Sequence, residues 1–509
     1  MTWKPELEEL AARQRMAEAM GGADKVQRQH DRGKMDARAR ISGLVDQNSF
    51  REIGKIAGRG EYDAQGKLVH SAPSNLIFGR ANIDARPVVA SADDFTVRGG
   101  AADAALHRKF VQCEKMAHDM GLPMVRMIDG TGGGGSVKSL EDMGYTYVPM
   151  VPGWDDIMRN LESVPVVALA LGPTAGLGAA RVCMSHYSIM VKGLSQMFAA
   201  GPAVAAAIGE TVDKEGLGGS EIHTRNGVVD EEVASEAEAF AYARAFLSYL
   251  PSAVGQQAPR HDNHDPIDRR DEKLRDIVPK DPGQVYSMRT VMESVFDQQS
   301  VFEMGRRWGR AAITAFARLD GWPVAVVASD PSYLGGSWEA LTSQKVKRFA
   351  ELADRFGLPV IHLVDNPGFM IGTEAEKAGT IRHGVEAMSA IYSASIPWCS
   401  VIIRRAYGIA GSAMSNAERF QYRFAWPSGD WGSLPISGGL EVAYKAELEA
   451  SDDPQAKLAE IKARLDAVTS PFRTAEKFAV EDIIDPADTR GLLCEFADLA
   501  WRKLAGTNR

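Results

Sequence analysis

Apolar residues along this chain fall in short runs that alternate with stretches of helical period. Pro87 to Ala90 and Pro323 to Ala328 are apolar, β-rich runs, each followed by a Gly-Gly turn and an amphipathic stretch. A second apolar run comes at Met124 to Ile128 and at Val360 to Val364, and then a long loop. Helical period returns at Trp154 to Glu162 and at Arg382 to Ser393. Third runs, Val166 to Leu171 and Cys399 to Ile403, lead into glycine-rich turns. Strands alternating with helices predict α/β layering, with the turns at strand ends open for function. The start, "PELEELAARQRMAEAM", has helical period and little else.

The two sets of elements are copies. "RPVVASADDFTVRGG" parallels "WPVAVVASDPSYLGG", and "KFVQCEKMAHDMGLPMVRMID" parallels "KRFAELADRFGLPVIHLVD". Pro87 and Pro323, Gly100 and Gly336, Pro123 and Pro359, and Asp129 and Asp365 are each 236 apart. Further on, Pro165 pairs with Pro397 and Gly176 with Gly408, each 232 apart. One module therefore occurs twice, over roughly 40–255 and 280–509. The expected division is an N-terminal domain over 1–260, a linker over 261–280 and a C-terminal domain over 281–509. The polar, Pro-containing "QQAPRHDNHDPIDRRDEKLRD" reads as a solvated linker rather than a metal site at His261 and His264.

Composition narrows the function. With 509 residues, 45% hydrophobic and 25% charged, the chain reads as a soluble globular protein of more than one domain. A formal charge of -9 argues against nucleic acid or an anionic membrane as the main partner. It leaves room for a local basic patch that takes a phosphorylated ligand. Cys113, Cys183, Cys399 and Cys494 are scattered, so no zinc ribbon or disulfide framework is expected, and no metal. No apolar run approaches the roughly 20 residues of a membrane span. The acidic N-terminus lacks a secretory or transit pattern, so a cytoplasmic home is expected.

"VRMIDGTGGGGSVKS" contains Gly130-x-Gly132-x-x-Gly135, the spacing of a dinucleotide-binding turn. The stretch after these glycines is broken by Gly144, Pro149, Pro152 and Gly153, so no close-packed helix opens there. The copy at the equivalent place, "DNPGFMIG", lacks the pattern, and the spacing reads as a coincidence. Two later turns are better candidates. "LALGPTAGLGAA" and "IRRAYGIAGSAMS" put glycine and alanine where a strand ends and a helix begins. Small residues allow close backbone approach to a ligand, and free N–H groups at a helix start hold developing oxyanions. The alternative reading is a pair of tight packing turns.

Several ordered blocks carry a family resemblance: "QHDRGKMDARARISGLVDQNSF", "DDFTVRGG", "GPTAG", "LGGSEIHTRNGVVD", "IVPKDPGQVYSMRTVMESVFD", "VDNPGFMIGTEAEKAGTIRHG" and "FAWPSG". The chain resembles the carboxyltransferase (β) subunits of biotin-dependent acyl-CoA carboxylases, the propionyl-CoA and methylcrotonyl-CoA carboxylase type. That resemblance implies two tandem crotonase-like (β-β-α superhelix) domains in an α/β fold. It implies a ligase-complex subunit that moves a carboxyl group from carboxybiotin to the α- or vinylogous carbon of an acyl-CoA. Homodimers, typically three to a hexamer, would set acyl-CoA on one domain against carboxybiotin on the partner's other domain. A decarboxylase or transcarboxylase subunit, or a biotin-independent crotonase-like enzyme or binding scaffold, is the alternative.

The implied chemistry creates two transient oxyanions, on the ureido group of biotin and on the thioester enolate. Backbone donors suffice for both, in keeping with the absence of G-x-S-x-G and H-E-x-x-H. By resemblance, the thioester donors fall on Gly176 and Leu177 and the biotin donors on Ile409 and Ala410. Gly132, Gly133, Tyr407, Gly408, Gly411 and Ser412 fall at the substrate. The family usually has Gly-Gly where Leu177 and Ile409 supply the second residue. Ile409 is β-branched, so its turn is expected to keep an ordinary, negative φ. Gly411 and Ser412 replace a commonly Tyr-Asp pair, which predicts a roomier or differently polar acyl pocket. There is no Ala-Met-Lys-Met segment and no ATP-grasp candidate, so a separate biotin carboxylase and biotin carrier subunit is expected.

Overall fold

Each half of the chain carries in its main sheet a hairpin of two eight-residue strands. In the first half Leu76–Ile83 pairs antiparallel with Arg86–Asp93, and Asp84 and Ala85 turn the chain at φ 49° and 64°. In the second, Ala312–Leu319 pairs with Trp322–Ser329 through Asp320 and Gly321, at φ 49° and 75°. Two successive positive φ values give the turn whose twist suits a two-residue hairpin loop. Alanine is strained there, and the Asp46 carboxylate holds it by accepting the N–H groups of Asp84 and Ala85 at 3.0 and 2.8 Å.

The computed structural model describes residues 2–101, 106–130, 141, 144–146, 148, 150–151, 153–416, 421–466 and 468–507. They divide into two units, Met1–Val254 and Gly255–Arg509. The sheet of the first runs Arg51–Glu52, Leu76–Ile83, Arg86–Asp93, Met124–Ile128, Val166–Ala170, Tyr187–Val191, Glu231–Val233. Beyond the hairpin every pairing is parallel. In the second unit the order is Phe302–Met304, Ala312–Leu319, Trp322–Ser329, Val360–Asn366, Trp398–Tyr407, Gln421–Ala425, Asp482–Ile483. There Asp430–Gly432 also pairs beside the end of Trp398–Tyr407.

Strands buried on both faces read as unbroken apolar runs, which is why the sequence exposed them. Met124–Ile128 and Val166–Ala170 are buried at every position. The exception inside the first is Arg126, whose guanidinium is forked onto Glu114 at 2.9 and 2.6 Å. The helices between strands are His107–Met120 and Trp154–Ser163 in the first unit, Ala340–Arg355 and Thr380–Ser393 in the second.

The segment expected to link the halves packs on the second unit. Asp265 accepts both branches of Arg269, and its main-chain carbonyl accepts from Arg490, a buried side chain that also donates to Asp297 at 2.8 Å. His261 donates its N–H to Gly321 at 3.1 Å. Charge therefore ties down a stretch whose polarity suggested solvent. Among the described residues no helix is long and apolar enough to cross a membrane.

Candidate functional site

Both candidate turns come at the end of a buried strand, and both bend at a glycine. In the first unit Gly176 has φ 55° and ψ -119° and is the N-cap of the helix Leu177–Cys183. Among the described residues, a Cβ added to Gly176 would meet nothing within 4 Å. The carbonyl of Gly176 accepts from Ala180 at 2.9 Å, and its N–H donates to the Phe198 carbonyl at 3.1 Å. Gly176 therefore supplies the bend, while its own amide is already used. Leu177 is the first helical residue, and first-turn N–H groups have no intrahelical acceptor.

In the second unit Tyr407 ends its strand, and Gly408, at φ 61°, opens the short helix Gly408–Ser412. Ile409 keeps a negative φ and leaves half of its surface exposed, since glycine takes the left-handed position before it. Ala410 is buried, and its carbonyl accepts from the Asn366 amide at 3.1 Å. Ser412 is exposed and donates its hydroxyl to the Ile409 carbonyl at 2.7 Å. Gly411 is buried, and a Cβ there would stand 2.6 Å from the Ala406 carbonyl carbon. The expected widening of the pocket by Gly411 is thus corrected: the missing side chain points at the strand backbone. Tyr407 is buried, and desolvation, then Asp430, push its phenol well above the ordinary value. It is a neutral donor at physiological pH. Gly132 and Gly133, and most of the Gly130 to Gly135 motif, lie outside the described residues.

Beneath each turn sits a buried aspartate that sequence reading marked only as a landmark of the repeat. Asp129 ends Met124–Ile128 and accepts from Lys34 at 2.7 Å, Arg40 at 2.7 Å and Gln29 at 3.2 Å. Arg40 also forks onto Glu236, with both contacts at 2.9 Å, and donates to the Leu171 carbonyl at 2.7 Å. That carbonyl immediately precedes the Gly172 to Gly176 turn. Burial works against both cations. It lowers the Lys34 pKa, whereas for Arg40 the attraction of Asp129 and Glu236 outweighs it and raises the value. Gly172 lies against this cluster so closely that a Cβ would fall 2.1 Å from Asp129 Oδ1.

Asp365 does the same work in the second unit. It accepts from Arg404 Nε at 3.1 Å, Arg405 Nε at 2.7 Å and the Tyr286 hydroxyl at 3.1 Å. Its partners Arg404 and Arg405 lie four and three residues before Gly408, on the strand that ends at Tyr407. The Gly-Gly turns rest on these aspartates too: a Cβ on Gly100 or Gly336 would come within 2.4 or 2.5 Å of the Asp129 or Asp365 carbonyl oxygen. Each unit therefore fixes its bend from below by buried ion pairs, and the exposed side of the bend is left to backbone. Backbone N–H groups in such a place can bind and polarise a carbonyl oxygen.

A family model described as a carboxyl transferase domain matches residues 28–508. The carboxyltransferase subunit of propionyl-CoA carboxylase from Haloferax mediterranei is 32% identical over 512 residues, spanning 99% of this chain and 97% of its own. Methylmalonyl-CoA decarboxylase subunit alpha from Veillonella parvula is 31% identical over 496 residues, 96% of this chain and 94% of its own. A solved transcarboxylase 12S structure, described as a hexamer with methylmalonyl-coenzyme A and methylmalonic acid bound, superposes with a TM-score of 0.87. It is 31% identical and covers 98% of this chain and 95% of the other. Both units carry the crotonase-like architecture expected from the sequence.

Proposed function

Since the chain belongs to the carboxyl transferase domain family, we propose that it moves a carboxyl group between carboxybiotin on a partner carrier and an acyl-CoA. The observation that carries this reading is the pair of glycine bends, one per unit, each followed by first-turn amides. Carboxybiotin supplies the carboxyl group when a carrier presents it. The chain's part is to hold two developing negative charges. Leu177 N–H, with the first-turn amides that follow it, faces the thioester oxygen; Ile409 and Ala410 N–H face the ureido oxygen. Gly176 and Gly408 set the bends, and Tyr407 and Ser412 border the acceptor. Preorganised donors of this kind cost no reorganisation when charge develops.

The direction of transfer is a second question. Identities of 32% to a carboxylase subunit and 31% to a decarboxylase subunit favour neither. The working form is a homo-oligomer, a hexamer built from three dimers, with acyl-CoA on the first unit and biotin on the second. The test is purification under native expression with a streptavidin probe, then ATP- and bicarbonate-dependent carboxylation of a panel of acyl-CoAs. A co-purifying biotinylated chain and one carboxylated acceptor are expected. Repeated absence of any biotinylated partner, or full activity in a clean monomer by light scattering, would overturn the corresponding part.

A further inference from the structure

The turn after Gly408 is held by one buried side chain that the proposed chemistry leaves without a role. Asn366 ends the strand Val360–Asn366 and keeps 2% of its surface exposed. Its amide donates to the Ala410 carbonyl at 3.1 Å, and its Oδ1 accepts the Gly368 N–H at 2.9 Å. A backbone N–H only donates and a carbonyl only accepts, so these two partners fix which way the amide points. The loop that follows Asn366 is itself tied down. The Gly368 carbonyl accepts from Trp338 at 3.1 Å, and Met370 donates to the Trp338 carbonyl at 2.9 Å. The Phe369 ring lies so close to Gly384 that a Cβ there would fall 2.2 Å from it.

The duplication supplies an internal control. In the register of 236 residues Asn366 falls opposite Gly130, where a Cβ would stand 2.6 Å from the Gly100 Cα. No side chain fits at that place, and the first turn is closed by its own backbone. Ala180 donates to Gly176 and Met184 to Ala180, each at 2.9 Å and each across four residues, along the helix Leu177–Cys183. The helix Gly408–Ser412 is shorter, and Ala413 closes it across three residues, onto Ala410 at 3.2 Å. So short a helix does not keep its shape by its own hydrogen bonds. The Ala410 carbonyl has a second lone pair, and Asn366 takes it.

We propose that Asn366 is a positioning residue for carboxyl transfer: by anchoring the Ala410 carbonyl it fixes the direction in which the Ile409 and Ala410 N–H groups point. In a helical turn carbonyls and N–H groups point opposite ways along one axis, so an anchor on the carbonyl sets the aim of the donors. Donors stabilise a developing oxyanion only from within hydrogen-bonding reach, and a misplacement of about 1 Å costs about a hundredfold in rate. Asn366 acts through the turn, since burial keeps its own amide from the substrate. The inference rests on reading Ile409 and Ala410 as the biotin-side donors.

Steady-state transfer with the biotinylated partner supplied tests this in wild type, Asn366→Asp and Asn366→Ala, with light scattering to establish the native oligomer. Asn366→Asp keeps the acceptor for Gly368 and turns the donor into an acceptor facing the Ala410 carbonyl; Asn366→Ala removes both. In each, kcat and the release of CO2 from carboxybiotin should fall about ten- to a hundredfold, while KM for acyl-CoA stays within about twofold. Amide hydrogen exchange, read without turnover, should quicken over 407–413 and not over 176–183. If one variant fails to assemble, the other carries the comparison; failure of both makes Asn366 a folding residue and overturns the role. Normal CO2 release by a folded variant, unchanged exchange over 407–413, or a loss matched by a raised KM for acyl-CoA would overturn it too. Ile409→Pro separates this from the reading beneath it. If that variant also releases CO2 normally, the biotin-side donors are misassigned; if it alone is blocked, only Asn366 loses its role.

Discussion

Proline at Leu177 and at Ile409 separates a backbone donor from the turn that presents it. Both positions lie in the first turn of a helix, Leu177 directly after the N-cap Gly176 and Ile409 one residue after Gly408. At such positions the missing N–H breaks no intrahelical bond, and a fixed φ near -65° matches helical backbone. The preceding residue is glycine in both cases, which relieves the restriction proline places on its neighbour. The fold should therefore lose little. If the amide stabilises an oxyanion, its loss should lower the transfer rate by about 10²–10³, or roughly 2.7–4 kcal/mol of transition-state stabilisation. Alanine at the same positions keeps the amide and should stay within a few-fold of wild type. The assay is steady-state transfer with the biotinylated partner supplied, alongside light scattering and CoA titration. Ile409→Pro should block release of CO2 from carboxybiotin while CoA affinity holds. Leu177→Pro should block acyl carboxylation while some abortive release persists. Near-normal transfer by both folded proline variants would reduce these elements to packing turns.

The geometry sets three further outcomes. Gly411→Ala puts a Cβ 2.6 Å from the Ala406 backbone, where only a backbone shift relieves it, so about 1–3 kcal/mol of stability should be lost in denaturant titration. Arg40→Met leaves Asp129 and Glu236 buried without their shared cation and should cost about 3–5 kcal/mol; adding Glu236→Leu should recover part of it, and strict additivity would deny the coupling. Burial depresses the His362 pKa to about 3, so the unfolded chain takes up the proton first as pH falls below about 6.5. The contribution of His362 to stability is fully present above that pH and is lost progressively as pH falls toward 3. Melting curves at pH 8 and pH 5 should show a smaller acid loss in His362→Phe than in wild type, and equal losses would place the sensitive group elsewhere.

What the sequence determined by itself was what repeats or stays local. The duplication, the buried parallel strands and the helices between them were legible because strands covered on both faces are apolar throughout. The glycines at 176 and 408 were legible as well, since a bend at positive φ demands that residue type wherever the fold places it. The spacing at Gly130 reads as a decoy on local grounds too, through the prolines after it and its absence from the copy.

Tertiary structure decided which groups are free and which are spent. Nothing local reveals that the Gly176 amide serves the Phe198 carbonyl, twenty-two residues on, or that Gly411 faces the strand backbone. Nor does the chain announce that Lys34 and Arg40 neutralise an aspartate some ninety residues away, or that Asp265 is bound to Arg490. A linker and a docked segment have the same polar composition; only the partners brought by folding distinguish them. Periodicity and glycine placement are read one residue at a time, so they survive in sequence. Ion pairing, hydrogen-bond commitment and close backbone approach are relations between distant residues, and they exist only once the chain has closed around them.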